Sequence, residues 1–310
     1  MKFKPELSWE FLSKDEIESR TLYSIKNNLA HIKKVSSYYC KLFTDINPQD
    51  IKSLEDFAKL PFTDKADIAE RTEHFCAVSQ KDIVETVITS GSTGSPLIFP
   101  MTANDIDRLA FNEALSFNSI GITDKDRLQL LVSLDRLFIA GMAYYRGASL
   151  LGVNVFRVGV LPIDMQQHYI HLLKPTVLVG VPSFLKKLGH KLNEIGFDIK
   201  NSSVQKLVCI GESIRTQDMH LNVTGKALEE IYGAKVYSTY GITELVAAYC
   251  ECFAQCGNHA KPSLVYTEII DEAGNPVPDQ TVGELVITTL NVEALLLVRY
   301  KTGDITFKIG

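Results

Sequence analysis

No stretch of the chain approaches the roughly eighteen consecutive apolar residues of a membrane-spanning helix, and the amino-terminal MKFKPELSWEFLSKDE places acidic residues where a secretory signal carries its apolar core. Neither a membrane partner nor export is expected, and the compartment read from these absences is the cytoplasm. No long basic block occurs and the formal net charge is -5, so the concentrated positive footprint of a nucleic-acid binder is missing. Low-complexity segments and clear internal repeats are absent too. No coiled-coil heptad argues for a particular assembly, which leaves oligomeric state open. The six cysteines are Cys40, Cys76, Cys209, Cys250, Cys252 and Cys256. An even count in a reducing compartment does not imply disulfides.

What is present is ordinary for a soluble globular protein: hydrophobic residues make up 45% and charged residues 22%. A chain of 310 residues suffices for one large domain or two ordinary ones, with a substantial core. The first 75 residues read as helical and polar. SKDEIESRTLYSIKNNLAHIKKVSSYYCKLF carries apolar residues at helical spacing, with Ser13 and Glu16 arranged as a capping box. LEDFAKLPFTDKADIAER then offers a Leu-Pro stop and a restart at Thr63 or Asp64. From Val84 onward, short apolar runs alternate with helical patterns: VETVITS, RLQLLVSL, VNVFRVG, TVLVGVP, VQKLVCIG and AKVYSTYG read as strands, with helices between them. Alternation of this kind implies crossover units and a mostly parallel, helix-covered sheet. After about Ser263, SLVYTEIID, GELVITTL and LLLVRYKTGDITFKIG read as a smaller antiparallel sheet. The fold class expected is α/β, and the chain ending in strand-like texture at Gly310 is expected to continue in a longer protein.

The chemistry-bearing stretch is TSGSTGSP. It packs Thr89, Ser90, Ser92 and Thr93 around Gly91 and Gly94 just after a strand. Hydroxyls and exposed backbone N–H groups can all donate to anionic oxygens, so a phosphate chain is the natural guest. The loop has no G-K-[ST] ending and is not a Walker A loop; such a stretch standing alone is more commonly a plain Gly/Ser surface loop. Three other stretches end strands with polar residues: VCIGES at Gly211, Glu212 and Ser213, YSTYGITE from Tyr240 and Gly241 to Thr243 and Glu244, and VRYKTGDI at Asp304, after a Gly in a turn. The carboxyl ends of parallel strands are where ligands usually bind. An Asp can accept from both ribose hydroxyls, and a Glu near a triphosphate can offer Mg²⁺ a hard oxygen ligand.

Taken in this order, the four motifs resemble the adenylate-forming superfamily of acyl- and aryl-CoA ligases. LSKDEI, FAKLPFTDKADI and the spacing from YGITE to CECFAQCGNH are similar to the phenylacetate-CoA ligase and coenzyme F390 synthetase branch. The resemblance implies the large N-terminal domain of such an enzyme: a helical region over 1–75, a nucleotide- and acid-binding α/β core over 76–262 and a β-rich subdomain over 263–310, ahead of a C-terminal lid domain. It implies ATP-dependent activation of a carboxylic acid, by default an aryl acid, to an acyl-adenylate and then a coenzyme A thioester. Ser90, Ser92 and Thr93 would bind the β/γ-phosphates, Thr243 the α-phosphate and Glu244 the Mg²⁺. The Gly211–Ser213 stretch and Tyr240 would flank adenine, and Asp304 the ribose. Acid-pocket walls would come from Phe138, Ala140, Gly141, Tyr144 and Pro182, residues that plain core packing explains equally well. Where the family carries a Lys or Arg in the phosphate loop, this chain has Ser95. A homodimer is the common arrangement in the branch.

CECFAQCGNH holds three cysteines and a histidine, ligand types that suit tetrahedral Zn²⁺. The branch resemblance implies that Cys252 and His259 belong to such a site, with Cys250 or Cys256 able to substitute for partners beyond Gly310. The plain alternative is a set of reduced thiols. Two other classes of function stay open at this point: a nucleotide- or partner-binding domain without catalysis of its own, and adenylation with an acceptor other than coenzyme A.

Overall fold

The computed structural model describes residues 6–89 and 96–309. In chain order these form α1 (Lys14–Val35), α2 (Ser37–Leu42), α3 (Leu54–Phe57), α4 (Lys65–Phe75), β1 (Ile83–Ile88), β2 (Ile98–Thr102), α5 (Ala103–Ser119), β3 (Arg127–Leu130), α6 (Ile139–Leu150), β4 (Asn154–Arg157), α7 (Ile163–Leu173), β5 (Val177–Gly180), α8 (Pro182–Glu194), β6 (Lys206–Cys209), α9 (Val223–Tyr232), β7 (Lys235–Tyr240), β8 (Tyr249–Glu251), β9 (Asn258–His259), β10 (Val265–Ile270), β11 (Gly283–Thr289) and β12 (Tyr300–Thr306). They gather into two compact units. One holds Met1–Arg108, Thr243–Ala247 and Ala260–Gly310; the other holds Leu109–Ile242 and Ala248–His259. Among the described residues no helix is long and apolar enough to cross a membrane.

The helix starts follow from local chemistry. Ser13 caps α1 by accepting from the Glu16 N–H, while the Glu16 carboxylate takes the Ser13 N–H at 2.9 Å. Asp64 and Asp67 do the same for α4, so the restart after Leu-Pro falls at Asp64. At α5 the Thr102 hydroxyl accepts from Asp105 N at 3.1 Å and Asp105 accepts from Thr102 N at 3.0 Å. Each such pair satisfies helix-end donors that would otherwise lack partners.

In the first unit, β10, β11 and β12 form an antiparallel sheet in that order, and β1 pairs with β2 as an antiparallel ribbon. The unit is tied together by a buried arginine. Arg108 is 0% exposed. Its Nε donates to the Leu290 carbonyl at 2.8 Å, and its terminal nitrogens donate to the carbonyls of Val246 and Leu264. Asp105, on the preceding turn, accepts from the backbone N–H groups of Glu293 at 2.7 Å and Ala294 at 3.1 Å. One helix start thereby organises three distant strips of backbone.

The second unit holds a sheet in the order β4-β3-β5-β6-β7-β8-β9 among the described residues; β4 to β7 run parallel, and β8 and β9 are antiparallel. The mostly parallel, helix-covered α/β core expected from the alternating pattern is borne out, as is the smaller antiparallel sheet. Its central strands are buried on both faces. Val177, Val179, Val208 and Ile210 point into one apolar cluster with Phe117, Leu128 and Leu130, while Leu178, Leu207 and Cys209 point into the other with Leu185, Leu188 and Leu228. Period-two alternation thus sends neighbours into two cores, each fully buried aliphatic side chain contributing roughly 1.5–3 kcal/mol.

Arg108→Met is expected to strand three buried carbonyls and destabilise the first unit by about 3 kcal/mol or more. In urea unfolding this appears as an earlier transition; a variant that unfolds with the parent would remove Arg108 from its organising role.

Candidate active site

The polar residues singled out from sequence divide between the two units, most of them just past strand ends and Asp304 inside β12. In the first unit, Glu244 lies in a 3-10 turn, Thr243–Leu245, and is 8% exposed. Its Oε1 accepts from the Tyr300 hydroxyl at 3.3 Å. Burial raises the proton affinity of the Glu244 carboxyl, and the nearby Asp304 carboxylate raises it further; the Tyr300 hydrogen bond and the Lys65 ammonium pull it down. Tyr300 is pushed up in turn by burial and by Glu244. Thr243 is half-buried at the start of the same turn.

Asp304 was expected to follow a turn. It sits instead in a β-bulge inside β12. The register against β11 slips between Glu284 and Val286, which face Ile305 and Lys301. Gly303 takes φ +78° with nothing within 4 Å of where a Cβ would stand, so the backbone conformation, not crowding, calls for glycine. Gly303 N donates to Glu284 at 3.2 Å and Asp304 N to the Thr302 hydroxyl at 3.1 Å. The bulge re-aims Asp304 into the exposed position it occupies.

Thr89 ends β1 in a buried position. Its N–H donates to Leu97 O at 3.1 Å and its hydroxyl accepts from Leu97 N at 2.9 Å. Ser90, Gly91, Ser92, Thr93 and Gly94 lie outside the described residues.

In the second unit, β6 and β7 are adjacent parallel strands, and their carboxyl ends lead to Gly211 and Tyr240. Gly211 takes φ +82° with open space at the Cβ position. Glu212 turns to the start of α8, where its carboxylate accepts from Ser183 N at 2.9 Å and from the Ser183 hydroxyl at 2.6 Å. The Ser213 hydroxyl donates to Arg215 O at 3.0 Å. Tyr240 stands 5.8 Å from the Tyr249 ring, centroid to centroid, and Gly241 is exposed. The loop beginning at Gly211 is anchored by a residue that sequence reading did not single out. Arg215 donates Nε and Nη2 to the buried Glu251 carboxylate at 2.7 and 3.0 Å, and Ser238 N adds a third donor at 2.8 Å.

The residues expected to wall the acid pocket divide by environment. Phe138 is 41% exposed at the start of α6, and Pro182 is buried at the start of α8. Ala140 and Tyr144 belong to the core cluster. The Tyr144 hydroxyl is 3.0 Å from the Thr239 hydroxyl, and the Thr239 hydroxyl donates to Cys209 O at 3.0 Å. Gly141 is a packing glycine: a Cβ there would stand 2.0 Å from the Ser133 carbonyl oxygen.

The residues present do not fit the zinc site that the cysteine cluster suggested. Among the described residues no group of three or more His, Cys, Asp or Glu side chains is placed to hold a metal ion. The cause is the hairpin register. Cys250 faces His259 across β8 and β9, and Cys252 falls past that pair, in the turn. The Cys250 thiol is buried toward Ser116 O at 3.8 Å, Cys252 Sγ accepts from Ala254 N at 3.4 Å, and Cys256 donates to Ala254 O at 3.2 Å.

Against this geometry, a family model described as AMP-binding enzyme matches residues 19–294. The chain is similar to the phenylacetate-coenzyme A ligase of Aromatoleum evansii, 31% identical over 304 residues that take in 96% of this chain and 68% of the relative. Similarity to the phenylacetate-coenzyme A ligase of Escherichia coli (strain K12) is 29% over 305 residues, again 96% and 68%. Among solved structures, a 2-hydroxyisobutyryl-CoA ligase in an open conformation, in complex with 2-HIB-AMP and CoA, superposes with a TM-score of 0.88 at 22% identity, covering 98% of this chain and 74% of that one. This last likeness is one of fold.

One buried acid beside Tyr144 gave no sequence signal. Glu113 is 2% exposed within α5. Its Oε1 accepts from Asn112 Nδ2 at 3.1 Å, while its Oε2 has no hydrogen-bond partner. Burial pushes its carboxyl up to about 7 from an ordinary 4.5. Between those values the folded chain holds a proton that the unfolded chain has lost, so stability falls as pH rises through the interval and levels off above it. Comparing Glu113→Gln with the parent by urea unfolding is expected to show the difference moving in the variant's favour by about 2 to 3 kcal/mol from pH 5 to pH 8. A pH-independent difference would mean that the carboxyl is not buried and protonated as described.

Proposed function

The chain belongs to the AMP-binding enzyme family, and on that footing we propose that it activates a carboxylic acid with ATP and passes the acyl group to coenzyme A. The carboxylate attacks the α-phosphate, pyrophosphate leaves, and the acyl-adenylate carbonyl is then captured by the coenzyme A thiol with loss of AMP. The observation that carries this reading is the alignment with phenylacetate-coenzyme A ligases along 96% of the chain. An aryl acid is the substrate class that we infer from those relatives.

The protein's part in such a displacement is positioning and charge neutralisation. We assign Thr243 to the α-phosphate, Asp304 to the ribose hydroxyls, Tyr240 and the Gly211–Ser213 backbone to the adenine, and the hydroxyl loop to the outer phosphates. The Glu212 carboxylate is committed to Ser183, so this stretch would meet the base through main chain. Glu244 suits a divalent cation. It is a buried carboxyl supported by its own backbone N–H and the neutral Tyr300 hydroxyl, with a second carboxylate nearby, and Mg²⁺ is usually held by one or two carboxylates together with substrate phosphates. Bound there, Mg²⁺ would neutralise charge on the phosphates. Phe138, Ala140, Gly141, Tyr144 and Pro182 remain the proposed acid-pocket walls, and a homodimer the proposed assembly.

Calorimetric titration with AMP and with ATP in the presence of Mg²⁺ tests the nucleotide reading. Saturable binding is expected, weakened by about 1 kcal/mol or more in Asp304→Ala through loss of hydrogen bonds to a charged group. Pyrophosphate release is expected to depend on added acid, with phenylacetate the first member of an aryl panel. A parent chain that binds neither nucleotide would overturn the proposal.

A further inference from the structure

The middle of α5 is buried, yet three of its buried residues are polar. Asn112 is 0% exposed, Glu113 2% and Ser116 1%. Asn112 and Glu113 are joined by the bond from Asn112 Nδ2 to Glu113 Oε1 at 3.1 Å. Ser116 follows them by four and three residues, on the same side of the helix. Each of the three keeps one polar atom without a hydrogen-bond partner: Asn112 Oδ1, Glu113 Oε2 and Ser116 Oγ. Buried polar groups in folded proteins are nearly always paired, and an unmet one costs about 1–3 kcal/mol. Three of them gathered on one helix call for a polar guest.

That side of α5 lies against α6, which carries three of the proposed acid-pocket walls. A Cβ on Gly147 would stand 2.3 Å from the Glu113 Cβ, so the two helices touch at this pair. One turn along each helix, the Phe117 and Tyr144 rings lie 5.7 Å apart. Glu113 therefore faces α6 within a turn of Tyr144. The Tyr144 hydroxyl reaches the carboxyl ends of β6 and β7, where it meets the Thr239 hydroxyl at 3.0 Å. Thr239 gives its one proton to Cys209 O, so the bond between the two hydroxyls takes its proton from Tyr144. The tyrosine oxygen keeps a lone pair with which to accept. Glu113 has the complementary capacity. Its Oε1 accepts from Asn112 and its burial favours the protonated carboxyl, which places the proton on Oε2. A donor and several acceptors thus stand open at one helix contact, and a hydroxyl group answers both.

We propose that this contact of α5 with α6 is a hydroxyl-recognition subsite of the acid pocket, and that the acid activated is a hydroxylated aryl acid. Glu113 donates to the substrate hydroxyl, which in turn donates to the open oxygens of the cluster. The inference rests on the acid-activation reading above and narrows its substrate class. A methyl group of similar size would leave the same buried atoms unmet, which is the condition under which a pocket discriminates most strongly.

The test is a panel of phenylacetates hydroxylated at the ortho, meta or para position, each matched by its methyl counterpart. Acid affinity is read by calorimetry in the presence of AMP, and turnover by acid-dependent pyrophosphate release, for the parent chain, Glu113→Gln and Glu113→Met, with thermal unfolding alongside. The parent is expected to favour one hydroxylated acid over its methyl counterpart by about tenfold or more. Glu113→Met is expected to bring that ratio below about threefold, while Glu113→Gln, which can still donate, retains most of it. Two acids are compared within one variant, so a general loss of stability leaves the ratio in place. A parent that responds equally to hydroxyl and methyl acids overturns the subsite, and so does a ratio unchanged in Glu113→Met; ordered water is then the guest. A parent that responds to no acid of either kind overturns the acid-activation reading itself.

Discussion

A buried guanidinium is tolerable only when its charge is matched and its donors are met, and the first unit is arranged around meeting that condition for Arg299. Nε and Nη2 pair with the Glu268 carboxylate at 3.1 and 3.0 Å, Nη1 donates to the Leu60 carbonyl, and the cation lies 4.0 Å from the centroid of the Phe62 ring. Glu268 comes from β10, Leu60 and Phe62 from the approach to α4, and Arg299 from the approach to β12. One side chain thus fixes three segments that the chain order keeps far apart. Arg299 itself takes φ +47°, a conformation that non-glycine residues seldom adopt and that surrounding contacts must hold. The residues proposed for nucleotide binding in the unit hang from this clamp. Thr63 bridges to Tyr300, Tyr300 reaches Glu244, and the bulge that aims Asp304 follows four residues on.

The second unit solves a different problem with the same means. A parallel sheet buried on both faces leaves only its strand ends for chemistry, and those ends are loops that must be held still. Glu251 does so with three donors, two from Arg215 and one from the Ser238 backbone, while Arg215 Nη2 also reaches Val236 O at 3.3 Å. The loop after β6 is thereby fastened to β7 and β8. Gln255, in the turn after β8, donates to the same Val236 carbonyl at 2.7 Å. The cysteine-bearing turn is held by backbone geometry and this amide.

Period and punctuation made much of this legible in the sequence. The alternation of strands and helices, the capping residues at Ser13 and Asp64, and the antiparallel texture after Ser263 are local signals, and the chain obeys them. The polar residues at strand ends were legible for the same reason: a Gly beside a hydroxyl or a carboxylate at the end of an apolar run is unusual on its face. What stayed hidden depends on partners far away in sequence. The three carbonyls that Arg108 satisfies lie 138 to 182 residues downstream, and in the sequence it reads as one more polar residue of an amphipathic helix. Glu113 looks equally ordinary in FNEALSF. The bulge at Gly303 was misread as a turn because glycine marks both, and only the slip against β11 tells them apart. For the cysteine cluster, spacing along the chain gives ligand types while the hairpin decides which of them meet, and among the described residues no metal-holding group forms.

Four buried acids show how compensation separates roles. Glu268 and Glu251 each face an arginine bidentately, and such pairs, broken by removing one partner, leave a charge that the interior cannot solvate. They are structural, and their hydrogen bonding is rich. Glu113 has one amide donor and one oxygen without a partner, and it meets the cost of burial by holding its proton. Glu244 is intermediate. One phenol supports it, a carboxylate opposes it, and a lysine on the neighbouring helix start is the compensating charge. Burial and the exposed Asp304 raise its proton affinity, and the phenol and the ammonium offset them only in part. The proposed metal–phosphate site would draw on that incomplete compensation, because a bound cation would relieve an imbalance that the folded chain has already built in.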